Sequence, residues 1–527
     1  MSESADSTKP KAQTPARGGA AKTFGPLHNY QRPDMSSRDH LVMMLTAGAQ
    51  IEHALMVQYL YAAYSIDPDQ VSQEIREKVK GWRASILSVA REEMGHLLTV
   101  QNMLVLLGAP VNFGREMLPW DHEFYPFPFS LEPLSVESLE CFIYAEMPRF
   151  DSIRKPAPGK QRSKSASPRI SAAKQEKIIQ EVTGRLAKRF PKRNIAEDMH
   201  RVGELYHEII TLISDQDKIP DSAFDEASFD MQAASDDWAR GYKPVPKLVD
   251  PEGTIVTEHD PASGTPHPAF ADQDAYVQVD RAATRAEAVK ALRALAAQGE
   301  AVHLRHNDTD EPSHFERFVQ IYEEFKTLKS GNLVHAVPRN PTTRIDFHKL
   351  KPRRTTYIGV DHHDEVAAHY FAQLFNQRYR LLLSYLSHSF RLARVHPLNQ
   401  PSLRGMVMHR AFGEMYNLKA IAGLLVRLPR HGGGRAGPPF EMPYSLDLPH
   451  SEADIWVLHR DLIASSQKTC SDIFRLAKAK DYEAVNSQIV STGGDVYLRT
   501  LMKIDVQTVD WINKILAGHG LNERTGR

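Results

Sequence analysis

The chain has 527 residues, enough for about three domains and a large buried core. Lys and Arg number 65, and Asp and Glu also number 65. This balance argues against a protein that binds nucleic acid along its whole length. Two cysteines, Cys141 and Cys470, cannot form a disulfide framework and suit a reducing compartment, so we expect a cytoplasmic protein. The composition, 42% hydrophobic and 25% charged, is typical of a soluble globular protein.

The N-terminal region contains no convincing signal peptide or membrane span. Residues 1–33 are rich in Ser, Ala, Lys, Pro and Gly and lack an apolar stretch, which predicts a disordered tail. The apolar stretch Leu41–Ile66 carries Glu52 and His53 near its middle. Because a carboxylate at the centre of a bilayer costs about 2.5–3.5 kcal/mol, we predict a buried helix of a soluble protein that has a reason to hold a carboxylate.

Helical patterns dominate the rest of the chain, and strand signals are few and short. The predicted helices are Leu41–Ser65, Gln73–Leu107, Ser135–Glu146, Ala196–Ser214, a helix from Thr284 to about Val302, a helix from Ser313 to about Leu328, and 364–394, 403–427, 452–478 and 483–517. Residues 154–193 hold 13 Lys and Arg and two acids, which predicts a mobile basic insertion on the surface. The predicted class is all-α.

The helix at Gln73–Leu107 carries two polar residues on its apolar face. The apolar positions, spaced by three or four residues, are Ile86, Val89, Val100, Met103 and Leu107. Continuing this stripe through its gap leads to Glu93 and His96, which lie one helical turn apart. A Glu-x-x-His pair that projects inward from a bundle helix is the ligand arrangement of di-iron and di-manganese carboxylate bundles.

The first helix repeats this pattern, since Glu52 lies on a stripe that includes Leu45, Ala49 and Tyr59. A single buried acid has a simpler interpretation, because it can be hydrogen-bonded in the core or lie at a misjudged helix boundary. Two adjacent long helices with inward acids, one of them with an added histidine, favour a metal site over that alternative.

A bundle site of this kind needs ligands from two further helices. Glu204 and His207 form a second Glu-x-x-His, although Glu204 lies only at the edge of its apolar stripe. Glu300 and His314 are separated by fourteen residues and cannot form one helical turn. They could still meet if the polar break at 305–312 bulges out of an otherwise continuous line.

Several motifs together resemble a known family. Ile51-Glu-His-Ala-Leu-Met-Val-Gln-Tyr-Leu60 resembles the first helix of the ferritin-like domain of iminophenyl-pyruvate dimer synthases, the enzymes of the violacein and rebeccamycin pathways and their relatives. Arg91-Glu-Glu-Met-Gly-His96 is similar to the second helix of that domain. The further matching motifs, in the same order, are Phe129-Ser-Leu-Glu-Pro133, Gly203-Glu-Leu-Tyr206, Gln298-Gly-Glu300 and Ser313-His-Phe-Glu-Arg-Phe318. The resemblance covers about residues 38–340.

The resemblance implies a set of metal ligands and a cofactor. The implied ligands are Glu52, Glu93, His96, Glu204, Glu300 and His314. It implies two Fe ions, with Mn or a mixed Fe/Mn pair as alternatives, because oxygen-rich ligation suits these metals. It also explains the interrupted spacing between Glu300 and His314, where the family has a variable insertion. His207 departs from the family pattern and is either an extra ligand, a donor to a ligand or a surface residue.

The predicted fold is a ferritin-like four-helix bundle with additional C-terminal helices. We predict a tail at 1–33, a metal-binding bundle at 34–336 that contains the basic insertion, a helical pair at 337–430, and a loop with C-terminal helices at 431–527. The expected function is that of a dinuclear metal oxidoreductase that activates O₂ or peroxide to oxidise a small organic substrate. The resemblance suggests an amino-acid-derived imine supplied by an amino-acid oxidase. Iron storage or detoxification, or a bundle with a vestigial site, are the alternatives. We expect neither nucleic acid nor membrane as a partner, and the oligomeric state stays open.

Two tyrosines are predicted to lie immediately outside the ligands. Tyr59 shares its stripe with Glu52 two turns away, and Tyr206 lies on the apolar stripe of its helix. A buried phenol needs a hydrogen-bond partner, and an oxidised metal pair could draw an electron from it. Plain core packing is the alternative for either residue.

Overall fold

A computed structural model places most of the chain in helices. It describes residues 34–122, 124–147, 172–193, 195, 202–234, 248–249, 255–256, 279–300, 312–328, 333–343, 366–392, 403–430, 433–442, 447–478 and 483–518. The predicted tail at 1–33, the first half of the basic insertion and most of the predicted break before Ser313 lie outside these residues. The all-α prediction is confirmed.

The N-terminal half contains seven α-helices in the described residues. They are α1 (Ser37–Ser65), α2 (Gln73–Leu106), α3 (Val136–Ala145), α4 (Ala172–Arg189), α5 (Val202–Ser214), α6 (Arg285–Glu300) and α7 (His314–Thr327). Short 3₁₀ turns occupy Pro68–Gln70, Asp221–Ala223 and Glu226–Met231. Two strands, β1 (Leu248–Val249) and β2 (Ile255–Val256), form one antiparallel pair.

Local sequence signals explain where these helices begin and end. The Ser36 hydroxyl accepts a hydrogen bond from the Asp39 amide at the start of α1. Gly108 follows α2 with a φ of 62°, the left-handed conformation that glycine adopts most easily. Ser313 and Glu316 form the predicted capping box at the start of α7.

The helix pair α1 and α2 forms the centre of the bundle. Helix α5 packs on α1 and α6, and α6 also packs on α2 and α7, while α3 packs on α7 and α4. Helix α1 is buried on nearly all sides because α9, described below, covers another part of it. This position explains the apolar composition of α1. Within the described residues, no helix combines the length and the apolar character needed to span a membrane.

The structure differs from the expected mobile insertion in the region of α4. This helix buries Ile178, Ile179, Val182 and Leu186, which are spaced along one face, and packs on α3. Arg185 also forms an ion pair of 3.0 Å with Glu140 of α3. The second half of the insertion is therefore part of the packed bundle. The high content of Lys and Arg obscured its apolar stripe in the sequence.

The described residues of the C-terminal half add five helices. They are α8 (Val366–Ser389), α9 (Leu403–Leu425), α10 (Glu452–Ala477), α11 (Glu483–Ser491) and α12 (Gly494–Gly518). The single helix predicted at 483–517 is in fact two, because Gly493 has a φ of 73° that interrupts it. The predicted boundary at 430 coincides with no break in packing, since α8 packs on both α9 and α10. One continuous core runs from α1 to α12.

Candidate metal centre

Five buried side chains from four helices meet in the middle of the bundle. Glu52 comes from the middle of α1, Glu93 and His96 come from successive turns of α2, Glu146 caps the C-terminus of α3, and His314 is the first residue of α7. All five are at most 4% exposed. Because α1 and α2 lie side by side along their length, their two inward acids are held close together.

These side chains form two groups that share one carboxylate. The first group is Glu52, Glu93 and His96, and the second is Glu93, Glu146 and His314; within each group, one potential ligand atom per residue lies within 4.8 Å of the others. Each group therefore contains two carboxylates and one imidazole. The shared Glu93 suits a carboxylate that bridges two cations.

The individual distances show how Glu93 divides between the groups. Its Oε2 lies 3.0 Å from His96 Nδ1, and its Oε1 lies 2.9 Å from His314 Nδ1. His96 Nδ1 is also 3.6 Å from Glu52 Oε2, and His314 Nδ1 is 3.5 Å from Glu146 Oε2. The two imidazole rings stack with their centroids 5.5 Å apart. Both Nδ1 atoms thus face carboxylate oxygens in the interior of the centre.

A further pair of side chains fixes the orientation of His314. Glu92 accepts a hydrogen bond of 2.9 Å from His314 Nε2, and its other oxygen lies 2.6 Å from Arg317 Nη1. Burial opposes the charge on Glu92, but His314 and Arg317 outweigh it and lower the Glu92 pKa to about 2. An anionic Glu92 holds the proton on Nε2, so Nδ1 is the nitrogen that faces the centre. Burial alone would lower the pKa of His314, but Glu93, Glu146 and Glu92 outweigh it and raise that pKa well above its usual value. A bound cation would therefore displace a proton from Nδ1.

Each outer carboxylate accepts a hydrogen bond from a tyrosine. The Tyr206 hydroxyl donates to Glu52 Oε1 at 2.5 Å, and the Tyr59 hydroxyl donates to Glu146 Oε1. Both rings are almost completely buried. The two tyrosines that the sequence singles out therefore contact carboxylates of the two groups directly.

The crowding of acids changes the proton affinity of the centre. Burial, and then the charge of Glu93, raise the pKa of Glu52 to about 8. Burial alone would lower the pKa of His96, but Glu93 and Glu52 outweigh it and raise that pKa to about 10. Burial and Glu93 also raise the pKa of Glu146. Glu52 and His96 therefore hold protons at neutral pH that a bound cation would replace.

The donor atoms fit a pair of transition-metal ions. Glu52 Oε2, Glu93 Oε1 and His314 Nδ1 are fully buried, and none of them has an aligned hydrogen bond. Oxygen and imidazole nitrogen donors at this density suit Fe or Mn. The described residues place no Lys or Arg in an ion pair with Glu52, Glu93 or Glu146, so a metal is the cation that this set of ligands is suited to bind.

Comparison with known proteins agrees with this architecture. The sequence profile of the Ferritin-like family matches residues 45–323, a little over half of the chain. The chain belongs to the Ferritin-like family. The matched region contains all five side chains of the candidate centre, and the predicted ferritin-like fold and family resemblance are confirmed.

Two characterised relatives align with this Ferritin-like chain. Dichlorochromopyrrolate synthase of Lentzea aerocolonigenes is 27% identical over 79% of the chain, which corresponds to 37% of the relative. The 2-imino-3-(indol-3-yl)propanoate dimerase of Chromobacterium violaceum is 33% identical over 24% of the chain and 14% of the relative. The chain thus covers well under two thirds of the length of either relative. No solved structure is a significant match.

The structure brings together four of the six ligands that the family resemblance implies. Glu52, Glu93, His96 and His314 lie in the two groups, whereas Glu204 is buried on α5 but belongs to neither. On the same helix, Tyr206 contacts Glu52 through its hydroxyl. The role of Glu204 as a ligand stays a prediction.

Two further predicted residues have different outcomes. Glu300 is the last residue of α6, and its side chain lies outside the described residues. His207 is exposed on α5, which is consistent with the surface alternative.

Sequence reasoning missed Glu146 and Glu92. Glu146 follows directly after a short run of buried apolar residues on α3, Cys141-Phe-Ile-Tyr-Ala. An acid next to such a run was the feature of the sequence that could have indicated a buried carboxylate. Glu92 precedes the Glu-x-x-His pair by one residue and lies beside the stripe rather than on it. Only the three-dimensional position of α7 shows that Glu92 reaches His314.

A small cavity opens beside the Ferritin-like centre. Its described lining consists of Glu52, Leu55, Glu93, His96, Glu146, Val202, Gly203, Tyr206, Leu295 and Ala296. The carboxylates and His96 form its inner end, and apolar side chains of α1, α5 and α6 form its wall. The cavity gives a small molecule a place next to the candidate metal positions.

Proposed function

We propose that the chain is a dinuclear metal oxidoreductase, with Fe as the metal, that oxidises a small organic substrate. The observation that supports this proposal most strongly is the position of Glu93 between two groups of carboxylate and imidazole donors. Mononuclear and purely structural sites do not need a shared, buried carboxylate of this kind. When bound, two Fe ions supply the redox chemistry by which O₂ or peroxide is reduced at the expense of a substrate.

The residues of the chain have separate tasks in this proposal. Glu52, Glu93, Glu146, His96 and His314 hold the two ions. Glu92 and Arg317 keep the Nε2 proton of His314 in place and so keep Nδ1 available as a ligand.

The two tyrosines orient the outer carboxylates in the same proposal. Tyr206 donates to Glu52 and Tyr59 donates to Glu146, so each leaves one oxygen of its carboxylate for the metal. Each phenol also holds a proton that can move to its carboxylate without the entry of water, since both rings are buried.

The substrate class follows from the relatives. Their names describe a synthase of dichlorochromopyrrolate and a dimerase of an indolyl imino acid. We propose that this chain also acts on an amino-acid-derived imine, which an amino-acid oxidase supplies. The chain covers 37% and 14% of these relatives, and the oxidation step is the part of the chemistry that we assign to it.

The proposal is tested by metal content and substrate-dependent O₂ uptake in the same preparation. Protein purified without chelator should contain about two transition-metal ions per chain, with Fe the better-supported ion. O₂ uptake above that of an amino-acid oxidase alone should appear when the chain is added to the oxidase and its amino acid. The variant His96→Ala should lose metal and this added uptake, while the exposed His207→Ala should retain both. Iron mineral formation without substrate oxidation would instead indicate storage, and absence of metal would indicate a vestigial site.

A further inference from the structure

The two halves of the candidate centre have different surroundings. Beside Glu146, the Tyr59 ring packs edge-on against Phe142 at 4.9 Å and against Phe318, also at 4.9 Å between centroids. Tyr59 is 0% exposed. Aromatic rings therefore cover Tyr59 beside Glu146. Glu146 reaches the cavity, but neither Tyr59 nor His314 is among the described residues that line it.

The Glu52 half borders the cavity with more of its side chains, namely Glu52, His96 and Tyr206. Tyr206, which donates to Glu52, lines the cavity together with His96. The buried side chains Leu55 and Leu295 form an apolar wall next to them. Val202 at the start of α5 and Ala296 near the end of α6 are only half-buried, so the cavity approaches the surface between these two helices.

We propose that ligands reach the metal pair from the Glu52–His96 side, through the opening between α5 and α6, and that Val202 and Ala296 set the largest ligand that passes. This inference rests on the proposed function, because it assumes that the centre binds metal. It assigns to Val202 and Ala296 a limit on the size of the substrate, although neither residue belongs to the proposed ligands of the metal ions.

The positions of Val202 and Ala296 explain why they would limit the size of the ligand. Both belong to helices that pack on each other, so the opening cannot widen without moving α5 relative to α6. Val202 is branched at Cβ and has little rotational freedom, and Ala296 contributes a single methyl group. An aromatic ring at either position would project into the opening, where packed side chains leave it little space to turn away.

Two anions of different size test this inference. Three carboxylates do not neutralise two divalent ions, so the loaded centre attracts an anion. We would titrate the Fe-loaded protein with azide and with phenylacetate and follow the absorption of the metal centre. The variants are Val202→Phe and Ala296→Phe, one from each side of the opening. Ala294→Phe is the matched control, because Ala294 is a half-buried residue of the same helix that does not line the cavity.

The expected results distinguish a limit on ligand size from a loss of bound metal. Both variants at the opening should weaken phenylacetate binding at least tenfold, change azide binding less than about twofold and retain the metal content of the parent. Ala294→Phe should change none of these. If circular dichroism shows that a phenylalanine variant is unfolded, leucine at the same position should give a smaller weakening in the same direction.

Different failures overturn different proposals. Unchanged phenylacetate binding in folded, fully loaded variants of both positions would contradict the role of Val202 and Ala296. A parent that binds azide but not phenylacetate would also contradict it, because the opening would then admit no ligand of that size. A parent that holds no metal would contradict the proposed function itself.

Discussion

Each half of the molecule buries a cluster of ionisable side chains. The charge of the buried carboxylates is neutralised differently in the two clusters. In the C-terminal half, Arg378 of α8 lies 3.1 Å from Glu414 of α9 and also forms an ion pair with Asp505 of α12. Arg378 is 1% exposed. One guanidinium therefore joins three helices, and the carboxylates have a cation that belongs to the chain.

The cluster in the bundle has the opposite composition. Glu52, Glu93 and Glu146 face two imidazoles, and Arg317 forms its ion pair with Glu92. Burying carboxylates is costly unless a cation or protons neutralise them. The comparison shows that burial of acids alone does not indicate a metal site. The informative feature is a group of buried acids whose partners are imidazoles rather than Arg or Lys.

The largest contrast between the clusters should come from removing one central residue of each. Glu93→Ala should abolish tight binding of both ions, because both groups lose their shared carboxylate, yet the fold should persist. Arg378→Met should leave the metal content unchanged but lower the free energy of unfolding by about 3–5 kcal/mol, since Glu414 and Asp505 stay buried without a partner. Elemental analysis and urea unfolding of both variants measure the two effects. Equal metal loss in the two variants would show that both residues act only through the fold.

A smaller effect is expected from Glu92. Glu92→Gln removes the anion that accepts the His314 proton but keeps a side chain of the same size, so metal affinity should fall about 10–100-fold. Competition with a metal chelator measures this change. Glu208→Gln, at a half-buried position of α5 that belongs to neither group of ligands, is the control and should keep the parent affinity. If Glu92→Gln retains the parent affinity as well, the contact with His314 does not support metal binding.

Protons and metal ions should compete for the same side chains. The raised pKa values of Glu52, about 8, and His96, about 10, mean that both groups carry protons at pH 7 in the metal-free protein. Metal binding must displace these protons, so the affinity should rise as pH increases from 6 to about 10, and each chain should release at least the two protons of Glu52 and His96 at pH 7. Calorimetry in buffers of different ionisation enthalpy counts the protons. Affinity that is independent of pH would contradict the assigned protonation states.

The smallest effects are expected from the two tyrosines. Tyr59→Phe and Tyr206→Phe each remove one buried hydroxyl, which should cost about 1 kcal/mol of stability and leave the metal content intact. Only Tyr206→Phe should change the affinity for azide, because Tyr206 lines the cavity and Tyr59 does not. Spectroscopic titration distinguishes the two variants. Identical azide affinities in both would remove the proposed difference between the two halves of the centre.

The sequence predicts the helices of the bundle well because strong periodic patterns and caps define them. The predicted helix Gln73–Leu107 corresponds to α2 at Gln73–Leu106, and the capping box at Ser313 begins α7. Helix α4 was not predicted from the sequence, because the apolar stripe of this helix lies in a segment that is rich in Lys and Arg. The break between α11 and α12 depends on one residue, Gly493, whose conformation the periodicity does not show.

The candidate centre was predictable only where a polar residue interrupts a long apolar stripe. Glu52, Glu93 and His96 meet this condition and lie together in the structure, although their role as ligands stays a prediction. Glu146 lies at the end of a ten-residue helix, where too few turns define a face. Glu204 was selected from the family resemblance, because it lies only at the edge of the apolar stripe of its helix, and its role as a ligand stays a prediction.

The most direct test of the central claim is anomalous diffraction from crystals of the protein soaked with Fe(II). We expect two peaks about 3.5–4 Å apart. One should lie between Glu52 and His96, the other between Glu146 and His314, with Glu93 contacting both. A single peak, no peak next to Glu93, or a pair of ions held by Glu204 in place of Glu146 would contradict it.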